Sequence, residues 1–256
     1  MSQVNQFGDV MEICLLAGEI MLKYGAETYR VEETMERMAA AREMVEVHSF
    51  VTPTGIFLSF KSPKQGNYER TRVVRVDQRL IDLNKVTMVN DLSRRFVDAQ
   101  IPIREAMKEL KQIDKQKMNY PVYVQHIAAG AASGSFAVLF GGELVDIFPA
   151  FLAGVFVNIS LLLLEKYLKV KFIAELLAAF VGGVVAITVV RFGFGANLDS
   201  IIIGALMPLV PGLPLTNAAR DIMAGDLIAG VGRGAEATLT ALSIATGIAF
   251  AISILL

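Results

Sequence analysis

The sequence has little cysteine, no tryptophan and no surplus of either charge, and these shortages exclude several classes of protein. Cys14 is the only cysteine among 256 residues, which leaves no disulfide framework and no thiolate metal cluster. The net charge of −1 provides no basic surface of the kind that binds nucleic acid. The ATP-binding pattern G-x-x-x-x-G-K-[ST] does not occur. We therefore predict no metal, no cofactor, no nucleic-acid partner and no ATP hydrolysis by this chain.

Charged residues are concentrated in the first half of the chain. Residues 1–118 hold 18 basic and 17 acidic side chains, whereas residues 119–256 hold 6 basic and 8 acidic ones. The N-terminus has no basic segment and places Asp9 and Glu12 among its apolar residues, so it does not resemble a signal peptide. The predicted fold class is an α+β cytoplasmic N-terminal domain over 1–118, followed by an all-α membrane domain over 119–256.

The polar half shows the periodicities of both helices and strands. Apolar residues at steps of three and four predict helices near 7–24 and 26–43. Alternation predicts strands at 45–52, 55–62 and 70–76, the first two joined by the turn at 53–55. Two more helices are predicted within 77–99 and 103–116, the second leading towards the membrane.

The second half contains five segments that are long and apolar enough to cross a bilayer, since about 20 such residues suffice. The predicted spans are about 120–142, 147–164, 172–190, 199–219 and 237–256. Basic residues tend to lie in cytoplasmic connections. Those that set the orientation are Lys108, Lys111, Lys115, Lys117, Lys166, Lys169, Lys171, Arg220 and Arg233. The N-terminal domain is thus expected in the cytoplasm and the C-terminus outside. Glycine and alanine in the spans, including a GxxxG spacing at Gly130 and Gly134, predict close helix packing.

The fourth predicted span is interrupted by three prolines. Pro208, Pro211 and Pro214 cannot all lie in one straight helix, because each removes a backbone donor and clashes with the preceding turn. Irregular backbone at membrane depth is tolerated where it is buried in protein or lines a hydrated cavity. The break therefore indicates a transport pathway, or alternatively a re-entrant turn with an interfacial anchor. The predicted pathway residues are Pro208, Pro211, Gly212, Pro214, Thr216, Asn217, Arg220 and Asp221.

Within this set, Gly212 is expected to allow a close turn, and Thr216 and Asn217 to offer polar groups at the edge of the break. Arg220 and Asp221 are expected at its cytoplasmic mouth, where Arg220 can meet an anionic solute. Recognition of a dicarboxylate would favour a second cation, and Arg233 is a candidate only if its segment folds back. Two further acids near span ends, Glu175 and Asp199, are either end-of-span residues or proton-coupling groups.

The N-terminal domain holds a second group of candidate residues. Glu27, Arg30 and Glu33 are three apart on one predicted helix and can share a face. The others are Thr28 on the same helix, and His48, Ser49, Thr52 and Thr54 on or beside the first predicted strand. Exposed ion pairs and strand-edge polar residues explain the whole group equally well, and no catalytic residue is predicted.

Three stretches together resemble the threonine/serine exporter family. They are GAETYRVEETMERMA at 25–39, VTPTGIFLSF at 51–60 and GALMPLVPGLPLTNAARDIMAGDLIAG at 204–230. The resemblance implies a multi-pass protein of the bacterial inner membrane that exports small polar metabolites, with threonine, serine and C4-dicarboxylates such as succinate as the solute classes. It also implies a split exporter, in which a small membrane partner carries a second membrane module, and an oligomeric assembly.

The leading hypothesis is therefore a transporter rather than an enzyme, working as a subunit of a secondary exporter driven by the proton-motive force. Two alternatives stay open. One is a membrane-anchored hydrolase, and the other is a regulatory subunit whose polar half senses solute while the partner conducts.

Overall fold

The computed structural model describes residues 3–65, 68–78, 80–116, 120–168 and 170–256. Lys117, Lys169 and the predicted domain boundary at 118 lie outside these residues. Within them the chain forms ten α-helices and three strands. Their bounds are α1 Gln3–Lys23, α2 Thr28–Ala40, β1 Val45–Thr52, β2 Gly55–Ser62, β3 Tyr68–Arg75, α3 Leu83–Val97, α4 Ile103–Lys115, α5 Val122–Leu139, α6 Ile147–Leu168, α7 Lys171–Arg191, α8 Leu198–Leu206, α9 Gly212–Ala224 and α10 Leu227–Leu255.

These elements separate into two compact units, neither of which is continuous in sequence. The first consists of Met1–Met118 together with Leu213–Gly234, and the second of Asn119–Gly212 together with Ala235–Leu256. The first unit therefore contains α1 to α4, the sheet, most of α9 and the start of α10. The second contains α5 to α8 and most of α10.

The predicted fold class, an α+β N-terminal domain followed by an all-α membrane domain, is wrong. Of the residues that the structure describes, 74% are helical, with a small three-stranded sheet between residues 45 and 75. The strand-containing unit also takes in residues 213–234 from the other half of the chain. The physical reason lies in α9, where Asn217 and Asp221 are buried but polar. Asn217 bonds to Gly25 in the turn between α1 and α2, and Asp221 bonds to Thr28, the first residue of α2. Both partners belong to the first unit rather than the second.

The core of the first unit lies between α1 and the elements that surround it. The sheet is an antiparallel meander in the order β1-β2-β3, with Val51 opposite Ile56 and Ile56 opposite Val74. On β2, Ile56, Leu58 and Phe60 are fully buried, as alternation along a strand requires when one face packs on a core. Among the helices, the buried Lys85 of α3 donates to the Tyr24 hydroxyl and to the Asp114 carbonyl, both at 2.9 Å. This contact connects the end of α1 to α3 and α4.

The second unit packs through small residues. Ala153 and Gly154 of α6, and Ala178 and Gly182 of α7, are among the buried positions. A Cβ on Gly204 of α8 would lie 2.5 Å from the Ser133 carbonyl oxygen and 2.7 Å from the Ala137 amide nitrogen, so α8 and α5 approach backbone to backbone. Such faces allow close packing where lipid supplies no hydrophobic drive between helices. The predicted packing of these helices through small residues is confirmed.

Four helical segments among the described residues are long and apolar enough to cross a membrane. They are Val122–Leu139, Leu144–Leu168, Lys171–Arg191 and Leu227–Leu255. A fifth candidate is the pair Leu198–Leu209 and Gly212–Ala224, which bends by 61° and counts as a broken span or a re-entrant loop. The limits at which each helix would enter and leave a bilayer remain predictions.

Candidate functional site

The turn between α1 and α2 presents backbone acceptors to Leu213–Gly234, the C-terminal segment of the first unit. Gly25 adopts φ +100°, a left-handed conformation that ends α1 and that residues with a Cβ disfavour. The Gly25 carbonyl accepts a hydrogen bond from the Asn217 side chain at 3.0 Å. The next carbonyl, that of Ala26, accepts one from the Arg233 guanidinium at 2.8 Å. Residues more than 190 positions away are therefore fixed to this turn.

Asp221 completes the N-terminus of α2. The first helical amides of α2 need acceptors, but its N-cap residue, Glu27, makes no side-chain capping bond. Asp221 supplies the acceptor instead: its Oδ1 receives the Thr28 amide at 3.1 Å and the Thr28 hydroxyl at 2.7 Å. A carboxylate at this position also interacts favourably with the helix dipole. Asp221 is fully buried, so its contacts also hold α9 to the start of α2.

Arg233 balances the charge of Asp221. Its Nε lies 3.1 Å from Asp221 Oδ2, and its side chain is only 10% exposed. Arg233 lies in α10 rather than in a loop. The prediction placed Arg233 in a loop that would have to fold back to reach a solute. The guanidinium instead binds protein groups, the Asp221 carboxylate and the Ala26 carbonyl.

Two other arginines share the carboxylate of Glu27. Arg220 Nη1 lies 2.5 Å from Glu27 Oε1, and Arg30 Nε lies 3.4 Å from Glu27 Oε2. The Glu27 side chain is 9% exposed, whereas both arginine side chains are 54% exposed. Burial alone would raise the pKa of Glu27, but its backbone hydrogen bond and the two guanidinium groups outweigh this and lower the pKa. Glu27 is thus held ionised between two cations that face solvent.

Glu32 has the opposite electrostatic environment. Its carboxylate accepts the Val51 amide of the edge strand β1 at 2.7 Å. Burial raises the pKa of Glu32 to about 7, against the effect of that hydrogen bond, and the negative charges of Asp226, Glu36 and Asp221 add to the rise. Glu32 is therefore a carboxyl group that titrates near neutrality close to Asp221 and Asp226.

We call the residues that meet here the α2–α9 cluster. It consists of Glu27, Thr28, Arg30, Glu32, Asn217, Arg220, Asp221, Asp226 and Arg233. The structure brings together six residues that the sequence selected from two separate segments, together with the conditional candidate Arg233. The six are Glu27, Thr28, Arg30, Asn217, Arg220 and Asp221. Glu32 and Asp226 were missed, and nothing in the sequence indicates what Thr28 binds.

The remaining predicted pathway residues lie at the helix break or beside it. Pro208 is in a 3₁₀ turn, Pro211 precedes α9, and Pro214 is in the first turn of α9. Proline is tolerated there, because an amide in the first turn has no hydrogen-bond acceptor within the helix. Gly212 has no positive φ, and no atom of the described residues lies within 4 Å of a Cβ built on it. Its amide donates to the Val210 carbonyl at 2.8 Å in a tight turn. Thr216 is exposed and bonds back to the Leu213 carbonyl at 3.0 Å.

The other residues predicted in the N-terminal domain do not join the cluster. Glu33 is exposed and pairs with Arg37 at 2.6 Å. His48 is exposed on β1, and Thr54 is exposed in the turn that follows the strand. The Thr52 hydroxyl donates to the Gly55 carbonyl at 3.2 Å, which closes that turn.

A separate cavity of about 670 Å³ opens between α2 and α3. Its charged lining residues include Arg30, Glu33, Arg37, Arg94 and Asp98. Arg30 is therefore shared between the wall of this cavity and the α2–α9 cluster. Among the described residues, no group of three His, Cys, Asp or Glu side chains is placed to hold a metal ion.

Comparison with known proteins assigns a transport function to relatives of this chain. A family model described as "Putative threonine/serine exporter" matches residues 12–255. The chain is similar to the "Probable succinate transporter subunit YjjP" of Escherichia coli, with 27% identity over 98% of this chain and 97% of that protein. The protein of the same name from Klebsiella aerogenes is 26% identical over 95% of this chain and 93% of its own length.

A longer relative is the "Probable threonine/serine exporter" of Mycobacterium tuberculosis. It is 20% identical over 93% of this chain, but the match covers only 45% of that protein. No solved structure matches the chain.

Proposed function

Because the chain belongs to the threonine/serine exporter family, and is accordingly a multi-pass membrane transporter, we propose that it is one subunit of a secondary exporter for small carboxylate metabolites. The solute class that we propose is C4-dicarboxylates such as succinate, with threonine and serine as the competing class. The names of the two relatives that match over nearly their whole length support this choice.

The arrangement around Glu27 is the observation that carries the proposal. Arg220 and Arg30 both face solvent, and a single carboxylate lies between them. A guanidinium group binds a carboxylate with charge-assisted hydrogen bonds. We propose that Glu27 occupies the place that a solute carboxylate takes during transport, and that the two arginines provide the pair of cations that suits a dicarboxylate.

A second subunit is also part of the proposal. The relatives in Escherichia coli and Klebsiella aerogenes are named as subunits, and the longer mycobacterial exporter contains more than this chain matches. We propose a small membrane partner that carries the second membrane module. In the proposed topology the complex lies in the bacterial inner membrane, with the N-terminal residues in the cytoplasm and the C-terminus outside, following the basic connections.

Efflux from preloaded cells tests these proposals together. Cells loaded with labelled succinate, malate, threonine or serine would express this chain alone or with its presumed partner. We expect efflux only when both chains are present. Loss of one charge-assisted contact is worth about 1.5–3 kcal/mol, so Arg220→Gln should weaken solute affinity by about 10- to 100-fold.

Matched variants separate solute binding from general effects on the fold. Arg37→Gln removes a more exposed guanidinium from the same helix as Arg30 and should leave efflux unchanged. Arg220→Lys keeps the charge without the planar fork and should retain part of the activity. Efflux that persists in Arg220→Gln, but no longer responds to solute concentration, would replace the transport role of this site with a sensing one.

A further inference from the structure

Glu175 is a buried acid in the second unit that the α2–α9 cluster does not involve. It lies in α7, a helix long and apolar enough to span a membrane, and the residue is only 5% exposed. Its Oε1 accepts the Thr240 hydroxyl at 3.3 Å. Its Oε2 is buried and has no hydrogen-bond donor among the described residues. Buried carboxylate oxygens normally have partners, so this one requires an explanation.

The nearest cation does not compensate Glu175 fully. Lys171 Nζ is 3.9 Å from Glu175 Oε1 but 2.9 Å from Glu236 Oε1, so it is closer to the other acid. A third acid, the exposed Glu165 at the end of α6, adds to the negative charge that Glu175 experiences. Lys171 is therefore shared between two carboxyl groups, that of Glu175 in α7 and that of Glu236 in α10.

This balance of charge favours binding of one positive ion. An ionised carboxylate inside a membrane helix is costly unless it is paired, and such residues commonly mark ion or proton pathways. Adding a proton to Glu175 neutralises the buried carboxylate. This lowers the cost of leaving Oε2 without a hydrogen-bond donor. His126, another titratable residue of the second unit, already has a hydrogen-bond partner, since its Nδ1 lies 2.7 Å from Asn158 Oδ1.

We propose that Glu175 is the proton-binding site that couples export to the proton gradient. The proposal rests on the proposed exporter function. In each cycle the carboxylate takes up one proton from the outer side, becomes a neutral acid, and releases that proton to the cytoplasm as one solute molecule leaves. No bond other than O–H forms or breaks. Thr240 and Lys171 position the carboxyl group and stabilise its ionised form.

The test compares two transport modes in membrane vesicles that contain this chain and its partner. Exchange of labelled for unlabelled succinate, without a pH gradient, requires no net proton movement. Accumulation driven by an imposed pH gradient requires it. In Glu175→Gln we expect exchange to stay within about threefold of the wild type, while gradient-driven accumulation falls at least about tenfold. Exchange should also lose its dependence on pH.

Two further variants keep the result interpretable if Glu175→Gln folds poorly. Glu175→Asp retains a titratable group and should keep measurable accumulation, with a pH-sensitive dye inside the vesicles reporting proton movement on addition of succinate. Asp199→Asn removes an exposed acid of α8 in the same unit and should behave as the wild type in both modes.

The outcomes distinguish the two proposals. If Glu175→Gln retains gradient-driven accumulation, or if it loses exchange and accumulation equally at normal protein levels, Glu175 is not the coupling site although the exporter function stands. If wild-type vesicles exchange neither succinate nor threonine, the proposed function itself fails, and the role of Glu175 fails with it.

Discussion

Replacing Asp221 with alanine tests whether the α2–α9 cluster stabilises the first unit. The substitution removes the acceptor of both Thr28 donors and leaves Arg233, which is almost fully buried, without its carboxylate. Removing one partner of a buried ion pair typically costs about 3–5 kcal/mol. For proteins of about this size, each kcal/mol lowers Tm by about 2–4 °C. We therefore expect Asp221→Ala to melt about 6–20 °C below the wild type.

The assay is the thermal loss of the monodisperse peak of detergent-solubilised protein, followed through a fluorescent fusion because the chain has no tryptophan. Asp221→Asn keeps an oxygen for Thr28 but loses the charge, so its Tm should lie between those of alanine and the wild type. Asp226→Asn is the control, since Asp226 is half-buried and 3.4 Å from the Thr28 hydroxyl. A Tm for Asp221→Ala within about 2 °C of the wild type, or an equal loss in Asp226→Asn, would refute the reasoning.

Three further outcomes follow from the same structure. The free energy of unfolding should fall as pH rises from about 5 to 8. The pKa of Glu32 is raised from 4.5 to about 7, so the folded state binds this proton more tightly than the unfolded state does. Glu32→Gln should remove about 1–2 kcal/mol of this fall, measured as Tm against pH. Gly204→Val should abolish the folded peak in size-exclusion chromatography, because the new side chain would collide with the Ser133 carbonyl. Gly212→Ala should be tolerated, and equal yields of the two variants would contradict the close packing of α8 on α5. Burial raises the pKa of Cys14 to about 12, so maleimide at pH 8 should label it only after unfolding, and rapid labelling of native protein would show that the thiol is accessible.

Local features of the fold could be predicted from the sequence because their signals are local. Alternation locates β1 at 45–52 and β2 at 55–62, and their observed bounds are Val45–Thr52 and Gly55–Ser62. The prolines likewise locate the end of α8, since proline disrupts a helix through its own ring. The extent of these elements depends on residues only a few positions apart.

The partners within the α2–α9 cluster could not be predicted in the same way. Composition assigns Asp221 to the membrane half, yet its carboxylate accepts hydrogen bonds from Thr28 at the start of α2. The N-cap residue of that helix, Glu27, makes no side-chain capping bond of its own. The sequence selects Arg220 as a cation for a solute, but it carries no signal that Glu27 already binds it. Such pairings depend on tertiary structure, and a single sequence does not encode them as a recognisable pattern.

The contact between Thr28 and Asp221 has a consequence for how the protein is made. The two residues are separated by 193 positions in the sequence. At about 5–20 residues per second, the ribosome needs about 10–40 s to reach Asp221 after Thr28 has been synthesised. During that interval the start of α2 lacks its cap, and four apolar segments emerge before α9 does. The first unit can therefore complete its folding only after most of the membrane helices have been synthesised.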